Sequence, residues 1–213
     1  MSYTVFAEGY DALTQNVDYD TCAAFLHKTL RRYGIADGLV LDLACGTGSV
    51  SVRLAKAGYE VIGVDLSPDM LAVALQKAQA AGQDILLLCQ DIRAIDLYGT
   101  VRAAVCTLDS LNHLPDAAAV REALRRVALF LEPGGLFLFD VNTPYKHREI
   151  LGNNTFVYDT DEVYCVWQNT ALPDDTVQMD LDFFFPDEAQ EDVYVREREQ
   201  ITERAYTAAQ WEE

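Results

Sequence analysis

"LVLDLACGTGSV", Leu39 to Val50, decides how the rest of the chain is read. Its first seven residues form an almost unbroken apolar run, the mark of a strand buried on both faces. A small-residue turn with two glycines follows at once, a common way to let backbone approach a ligand. Four more runs of the same kind lie downstream: "EVIGVD" (60–65), "ILLLCQD" (85–91), "AAVCTLD" (103–109) and "GLFLFDV" (135–141).

Helical signals fill the gaps between these runs. Asp20 reads as the cap of a helix that places Phe25, Leu30 and Tyr33 on one side, with Arg31 and Arg32 in its last turn and Gly34 beyond it. Ser67-Pro68-Asp69 is an N-cap, a proline at the first helical position and an acid in the first turn. Val120, Leu124, Val127 and Leu131 repeat at helical spacing until "EPGG" (132–135). Strands alternating with helices imply right-handed crossovers. The expected fold class is α/β: a Rossmann-like doubly wound parallel sheet with helices on both faces. Ligands of such sheets lie beyond the carboxyl ends of the strands, near the point where strand order reverses.

The period changes at about residue 154. Val177, Met179, Leu181 and Phe183 alternate with Gln178, Asp180 and Asp182, as in a half-buried antiparallel strand. Residues 193–202 read as extended, although their charges also suit a helix. The outline is therefore N-terminal helices and a cofactor-binding core over 1–153, an inserted antiparallel β lid over 154–204, and the start of a C-terminal helix over 205–213. In that last segment Thr207 is the N-cap and Gln210 the third residue of a capping box.

The formal net charge is -18, from 34 acids against 16 Lys and Arg. A phosphate backbone would be repelled, so a nucleic-acid partner is not expected. Residues 154–213 hold 16 of the acids and only Arg196, Arg198 and Arg204. That excess reads as a solvated face, or as a funnel for a cationic substrate. The five cysteines have no paired spacing and suit buried free thiols of a reducing cytoplasm. His27, His113 and His147 lack metal-ligand spacing, and no metal site is expected. "MSYTVFAEGYDALT" has no basic n-region followed by an apolar h-region, so a signal peptide is not expected, and no apolar run reaches membrane-spanning length.

Three ligands can be tested against the turn. A Walker A loop needs a lysine after its last glycine, and Gly46-Thr47-Gly48-Ser49 has none. A dinucleotide fingerprint has its first two glycines here, but Ser51 stands at the third position. The remaining option is adenosine without phosphate. Asp65 closes the second strand, 19 residues after Gly46, where a carboxylate can accept both ribose hydroxyls. Asp91 closes the third strand, within reach of an adenine amine. Asp42, Asp65 and Asp91 together would repel phosphates while suiting hydroxyls, an exocyclic amine and an ammonium group. S-adenosylmethionine has those groups. No other partner for Asp65 is apparent, so its removal is expected to weaken ligand binding and leave stability alone.

"LDLACGTG", "GVDLSPDML", "CQDIRAID", "CTLDSLNHL" and "LEPGGLFLFDVNTP", in this order, resemble the class I S-adenosylmethionine-dependent methyltransferases over residues 35–145. "YDALTQNVDYD" and the inserted sheet are similar to the small-molecule branch with a β lid. The resemblance implies that Ala44, Cys45, Gly46 and Gly48 approach the methionyl part of the cofactor, with Asp42 holding the loop and the amino group. It implies Asp65 on the ribose, Leu66 and Met70 against the adenine, Asp91 and the Ile92 N–H on its nitrogens, Leu108 near the sulfonium and Tyr10 as a cover. Cys45 itself reads as a small packing residue rather than a nucleophile. The reaction would be an in-line displacement onto a small-molecule acceptor, with His113, Tyr19 and Asp109 as candidates for a general base. Two rival readings stay open: a non-catalytic cofactor-binding regulatory subunit, and a nicotinamide-dependent dehydrogenase. The family fold ends in a helix and a hairpin that covers the fifth strand, so either a longer chain or a homodimer is expected to cover that edge here.

Overall fold

In a computed structural model of the protein, residues 4–187, 189–190 and 193–212 are described. Met1–Tyr3 and Glu213, the outer ends of the outlined first and last segments, lie outside the described residues. The apolar runs form a five-stranded parallel sheet of β1 (Leu39–Leu43), β2 (Glu60–Asp65), β3 (Ile85–Cys89), β4 (Val101–Cys106) and β5 (Leu131–Phe139). Its order is β3-β2-β1-β4-β5, so the chain reverses direction across the sheet between β1 and β4. The expected switch point is there, just beyond the quoted strand.

Helices α2 (Tyr19–Arg32), α3 (Ser49–Lys56), α4 (Pro68–Ala80) and α5 (Ala117–Phe130) flank this sheet. Leu30, Val40, Val50, Leu54, Val61, Ile85, Ala103 and Val105 form one core. The cap of α4 is as read: the Ser67 side chain accepts from the Met70 N–H, with Pro68 behind it. The cap of α2 is not Asp20 but Asp18, whose Oδ1 accepts the Thr21 N–H at 2.8 Å. Its buried face is Ala23, Leu26 and Leu30. Phe25, well round the helix from Leu30, and Tyr33, the C-cap, are not on that face and are 64% and 65% exposed. A second departure is at "EPGG": Leu131 already belongs to β5, and the register against β4 jumps between Val101 and Ala103 to absorb the two glycines as an irregularity.

The second unit contains α1 (Thr4–Leu13), residues 112–116, and the chain from Val141 onward. It is built on an antiparallel sheet of β6 (Thr155–Asp159), β7 (Tyr164–Leu172), β8 (Thr176–Pro186) and β9 (Tyr194–Arg204), paired in that order. Val177, Met179, Leu181 and Phe183 are buried on one face, as the alternation requires. The charged segment from Tyr194 onward is a strand and not a helix: it pairs with β8 from Pro186 opposite Tyr194 to Thr176 opposite Arg204, and Asp182 meets Arg196 and Arg198 across that pairing. The sequence outline kept α1 and residues 141–153 with the parallel sheet. In the structure both segments group with the antiparallel one, because Ala12, Leu13 and Leu151 bury against Val163, Phe183 and Ile201. A short helix α6 (Ala208–Trp211) follows, with the capping box of Thr207 and Gln210.

One glycine fixes how α3 and α4 sit beside β1. Gly48, with φ at +74°, is the N-cap of α3, and a Cβ there would lie 2.9 Å from the Cβ of Ala74 on α4. Gly48→Ala therefore combines left-handed strain with overpacking and should cost about 2–4 kcal/mol. Gly82→Ala, at φ +64° with nothing within 4 Å, should cost only about 1 kcal/mol. Urea unfolding of the two variants checks the difference; equal losses would show that contact with α4 is not what Gly48 is for.

Candidate functional site

The turn after β1 is held open by positive backbone angles. Ala44, Gly46 and Gly48 have φ of 51°, 53° and 74°. The Cys45 N–H extends the pairing with β2 by donating to the Val64 carbonyl at 3.0 Å, and the Gly48 N–H closes the turn on the Cys45 carbonyl at 2.9 Å. The apex is fixed from the next strand: the Gly46 N–H donates to Oδ2 of Asp65 at 2.8 Å. The other oxygen of that carboxylate accepts the Ser67 N–H at 2.9 Å. Asp65 thus ties the glycine turn to the cap of α4. The expectation that it has no partner in the protein is corrected by these two bonds. A carboxylate offers about four acceptor positions, so two amides do not exhaust it. A Cβ on Gly46 would meet nothing within 4 Å, so the turn presents bare backbone to open space, as close approach by a ligand requires.

The three acids read as one row of strand-end charges are three different groups. Asp42 lies inside β1, 1% exposed, and accepts the hydroxyl of Ser51 on α3. Burial, reinforced by the charge of Asp65 and opposed by the Ser51 bonds, pushes its carboxyl up to about 7. Ser51, the residue that breaks the dinucleotide fingerprint, is therefore the bond between strand and helix. Asp91 is closed on Arg93, whose side chain and N–H both donate to it, and those bonds hold its carboxyl below the usual range. Burial, and then the charges of Asp42 and Asp65, raise the Cys45 thiol well above its ordinary value, which fits a packing residue and not a nucleophile.

Beyond β4 two consecutive residues, Leu108 and Asp109, take left-handed angles of 57° and 52°. Both their N–H groups donate to the Asp140 carboxylate, at 2.8 and 2.9 Å. Backbone strain thus stands at the carboxyl ends of β1 and β4, the strands on either side of the switch point. Asp140 and Lys77 escaped the reading of the sequence. Asp140 closes β5 as Asp65 closes β2, a signal that was available. Lys77 reaches the turn only through the packing of α4, where its Nζ donates to Thr47 Oγ1 at 2.8 Å and Ser49 Oγ at 2.9 Å.

Residues 40–135, the span that holds this turn and its supports, match the family described as "Methyltransferase domain". The chain is 39% identical over 186 residues to "Putative methyltransferase YqeM" of Bacillus subtilis (strain 168), covering 86% of this chain and 73% of that protein. The chain belongs to the methyltransferase family. A crystal structure of a S-adenosylmethionine-dependent methyltransferase from Clostridium acetobutylicum ATCC 824 superposes with a TM-score of 0.87 at 36% identity, covering 99% of this chain and 84% of that one. A dTDP-3-amino-3,6-dideoxy-alpha-D-glucopyranose N,N-dimethyltransferase of Streptomyces fradiae is 35% identical over 136 residues, 63% of this chain and 52% of that protein.

In this methyltransferase the remaining site candidates are placed as follows. Met70 is buried at the cap of α4, while Leu66 is 52% exposed. Ile92 follows Asp91 in the turn after β3. Tyr19 opens α2 under the guanidinium of Arg53, 5.5 Å from the ring centre. Tyr10 lies on α1 and His113 ends a 3-10 turn (Ser110–His113); both belong to the unit of the antiparallel sheet. There His113 Nε2 stands 3.4 Å from Glu203 Oε1, and His147 Nε2 stands 3.4 Å from Glu203 Oε2. Burial works to raise the Glu203 carboxyl, but the His147 bond, the His113 charge and the Asn142 amide outweigh it and hold it below its ordinary value.

Two outcomes are expected of the methyltransferase. Asp65→Ala leaves the amides of Gly46 and Ser67 without their acceptor, so it should lower stability by roughly 2–4 kcal/mol as well as weaken ligand binding. Urea unfolding with no ligand present checks this, and an unchanged midpoint would contradict it. Asp42 has a folded pKa raised from 3.8 to about 7, so the stability it contributes is complete below its unfolded value and is lost as pH rises through about 7. The loss should be at most about 4 kcal/mol between pH 4 and pH 8. Asp42→Asn should flatten that part of the stability–pH profile, measured by thermal unfolding, whatever its absolute effect.

Proposed function

We propose that this methyltransferase uses S-adenosylmethionine and transfers the methyl group to a small-molecule acceptor. The observation that carries the reading is the Gly46 N–H bound to the Asp65 carboxylate at 2.8 Å beside the switch point. It makes one rigid surface of a bare glycine turn and a strand-end acid. Bound there, the cofactor would supply a methyl group on a sulfonium, an electrophile with a good leaving group.

The chain's own residues would then bind and orient. The backbone from Ala44 to Gly48 would carry the methionyl part, with Asp42 holding the loop from below. Asp65 would accept from the ribose hydroxyls. Leu66 and Met70 would pack on the adenine, and Asp91 with the Ile92 N–H would meet its nitrogens. Leu108 would lie near the sulfonium and Tyr10 would cover the cofactor. His113, Tyr19 and Asp109 are the groups proposed to take a proton where the nucleophile arrives protonated. Holding nucleophile, carbon and sulfur in line contributes up to roughly 7–11 kcal/mol to such a step.

The net charge of -18 supports a small acceptor over a nucleic acid. The sugar substrate in the name of the Streptomyces fradiae relative points the same way. No described helix is long and apolar enough to cross a membrane, and the cysteines are free, which supports a cytoplasmic setting.

Isothermal calorimetry with S-adenosylhomocysteine and with NAD tests the reading. S-adenosylhomocysteine should bind with a dissociation constant of roughly 1–100 μM, and NAD should give no heat at about 1 mM. Binding of NAD with none of S-adenosylhomocysteine would overturn it.

A further inference from the structure

We infer that Lys77 is a positioning residue for the cofactor turn, clamping it from the side of α4; the inference rests on the cofactor reading above. The glycines that expose backbone at this turn also make it costly to order, because glycine loses more freedom on folding than any other residue. Something outside the turn has to hold it, and the residues flanking Gly48 supply the handles. Thr47 Oγ1 and Ser49 Oγ both accept from Lys77 Nζ, at 2.8 and 2.9 Å. Ala74, one helical turn before Lys77, is the residue whose Cβ a side chain on Gly48 would strike at 2.9 Å. The same face of α4 therefore touches Gly48 and straps its two neighbours.

The strap has a second anchor at the other end of the helix. Asp65 binds the Gly46 N–H and the Ser67 N–H at the start of α4, so the helix holds the turn at both of its levels. Thr47 is 1% exposed, which keeps water from competing for its oxygen. On the far side the Ser49 carbonyl accepts from Arg53 Nη1 at 2.9 Å, and Arg53 Nε bonds Asp20 at 2.6 Å. The turn is thus fixed to α2 and α4 through two cations. A turn ordered in advance binds its ligand more tightly, because the ordering is not charged against binding.

The test uses the full chain, with Lys77→Met to keep the apolar stem and remove the ammonium, and Thr47→Val with Ser49→Ala to remove the acceptors and keep the lysine. Calorimetry with S-adenosylhomocysteine is expected to show a dissociation constant raised about tenfold in each, with the stoichiometry of binding unchanged; combining all three changes should be no worse than either set alone. Amide exchange without ligand should be faster by about tenfold across residues 46–49 and unchanged in β8 and β9. A merely structural loss would lower the stoichiometry and leave the constant alone. Affinity within twofold of the original together with unaltered exchange across 46–49 would overturn the inference. Should the unaltered protein not bind S-adenosylhomocysteine, the cofactor reading fails, and the exchange arm still decides whether Lys77 clamps the turn.

Discussion

The Asp65 carboxylate is the constraint on which the rest of the site depends. It ends β2, accepts the Gly46 N–H from the turn after β1, and accepts the Ser67 N–H from the cap of α4. Two consecutive βα units are joined through one side chain. A glycine turn without such a tie would sample many conformations, and its exposed amides would face in as many directions. The same group that a ribose could use is therefore the group that keeps the turn in shape to receive one.

Charge around the turn is distributed by burial and not by count. Asp42 is raised chiefly by its burial, and the nearby charge of Asp65 adds to the cost of ionising it. Ser51 and Lys77 complete the arrangement, one by donating to Asp42 and the other by donating to the hydroxyls of the turn. A chain with net charge -18 thus presents a glycine loop whose nearest donors include a lysine.

The antiparallel unit has its own polar centre. Asn112 accepts the Asn142 N–H and donates to the carbonyls of Asn142 and Arg204, while Asn142 donates to Glu203 at 2.9 Å. His147 sits beside the same carboxylate, and its Nδ1 must carry a hydrogen because it faces the Asp175 carbonyl at 2.7 Å. Segments around residues 112, 142, 147 and 203 are locked to one another by groups that are almost wholly buried. Such a network holds Asn112, the residue before His113, with a directionality that apolar packing lacks.

The five apolar runs determined the parallel sheet, and the alternation from Val177 to Phe183 determined the antiparallel one, because periodicity records which faces are buried. The Ser67-Pro68 cap and the Thr207–Gln210 capping box were legible for the same reason: their partners are three residues away. Tertiary structure alone decided what the acids do. Asp42, Asp65 and Asp91 are identical in type and similar in position, yet one meets a serine nine residues away, one meets an amide 19 residues away and one meets an arginine two residues away. It also decided that Phe25 faces outward, since α2 turns Ala23, Leu26 and Leu30 to the core and Phe25 lies well round the helix from Leu30. Lys77 shows the limit most plainly. The sequence places it 30 residues from Thr47, and only the packing of α4 against Gly48 brings the ammonium to the turn. Hydrophobic pattern is written locally, whereas the partner of a polar group is chosen by the fold.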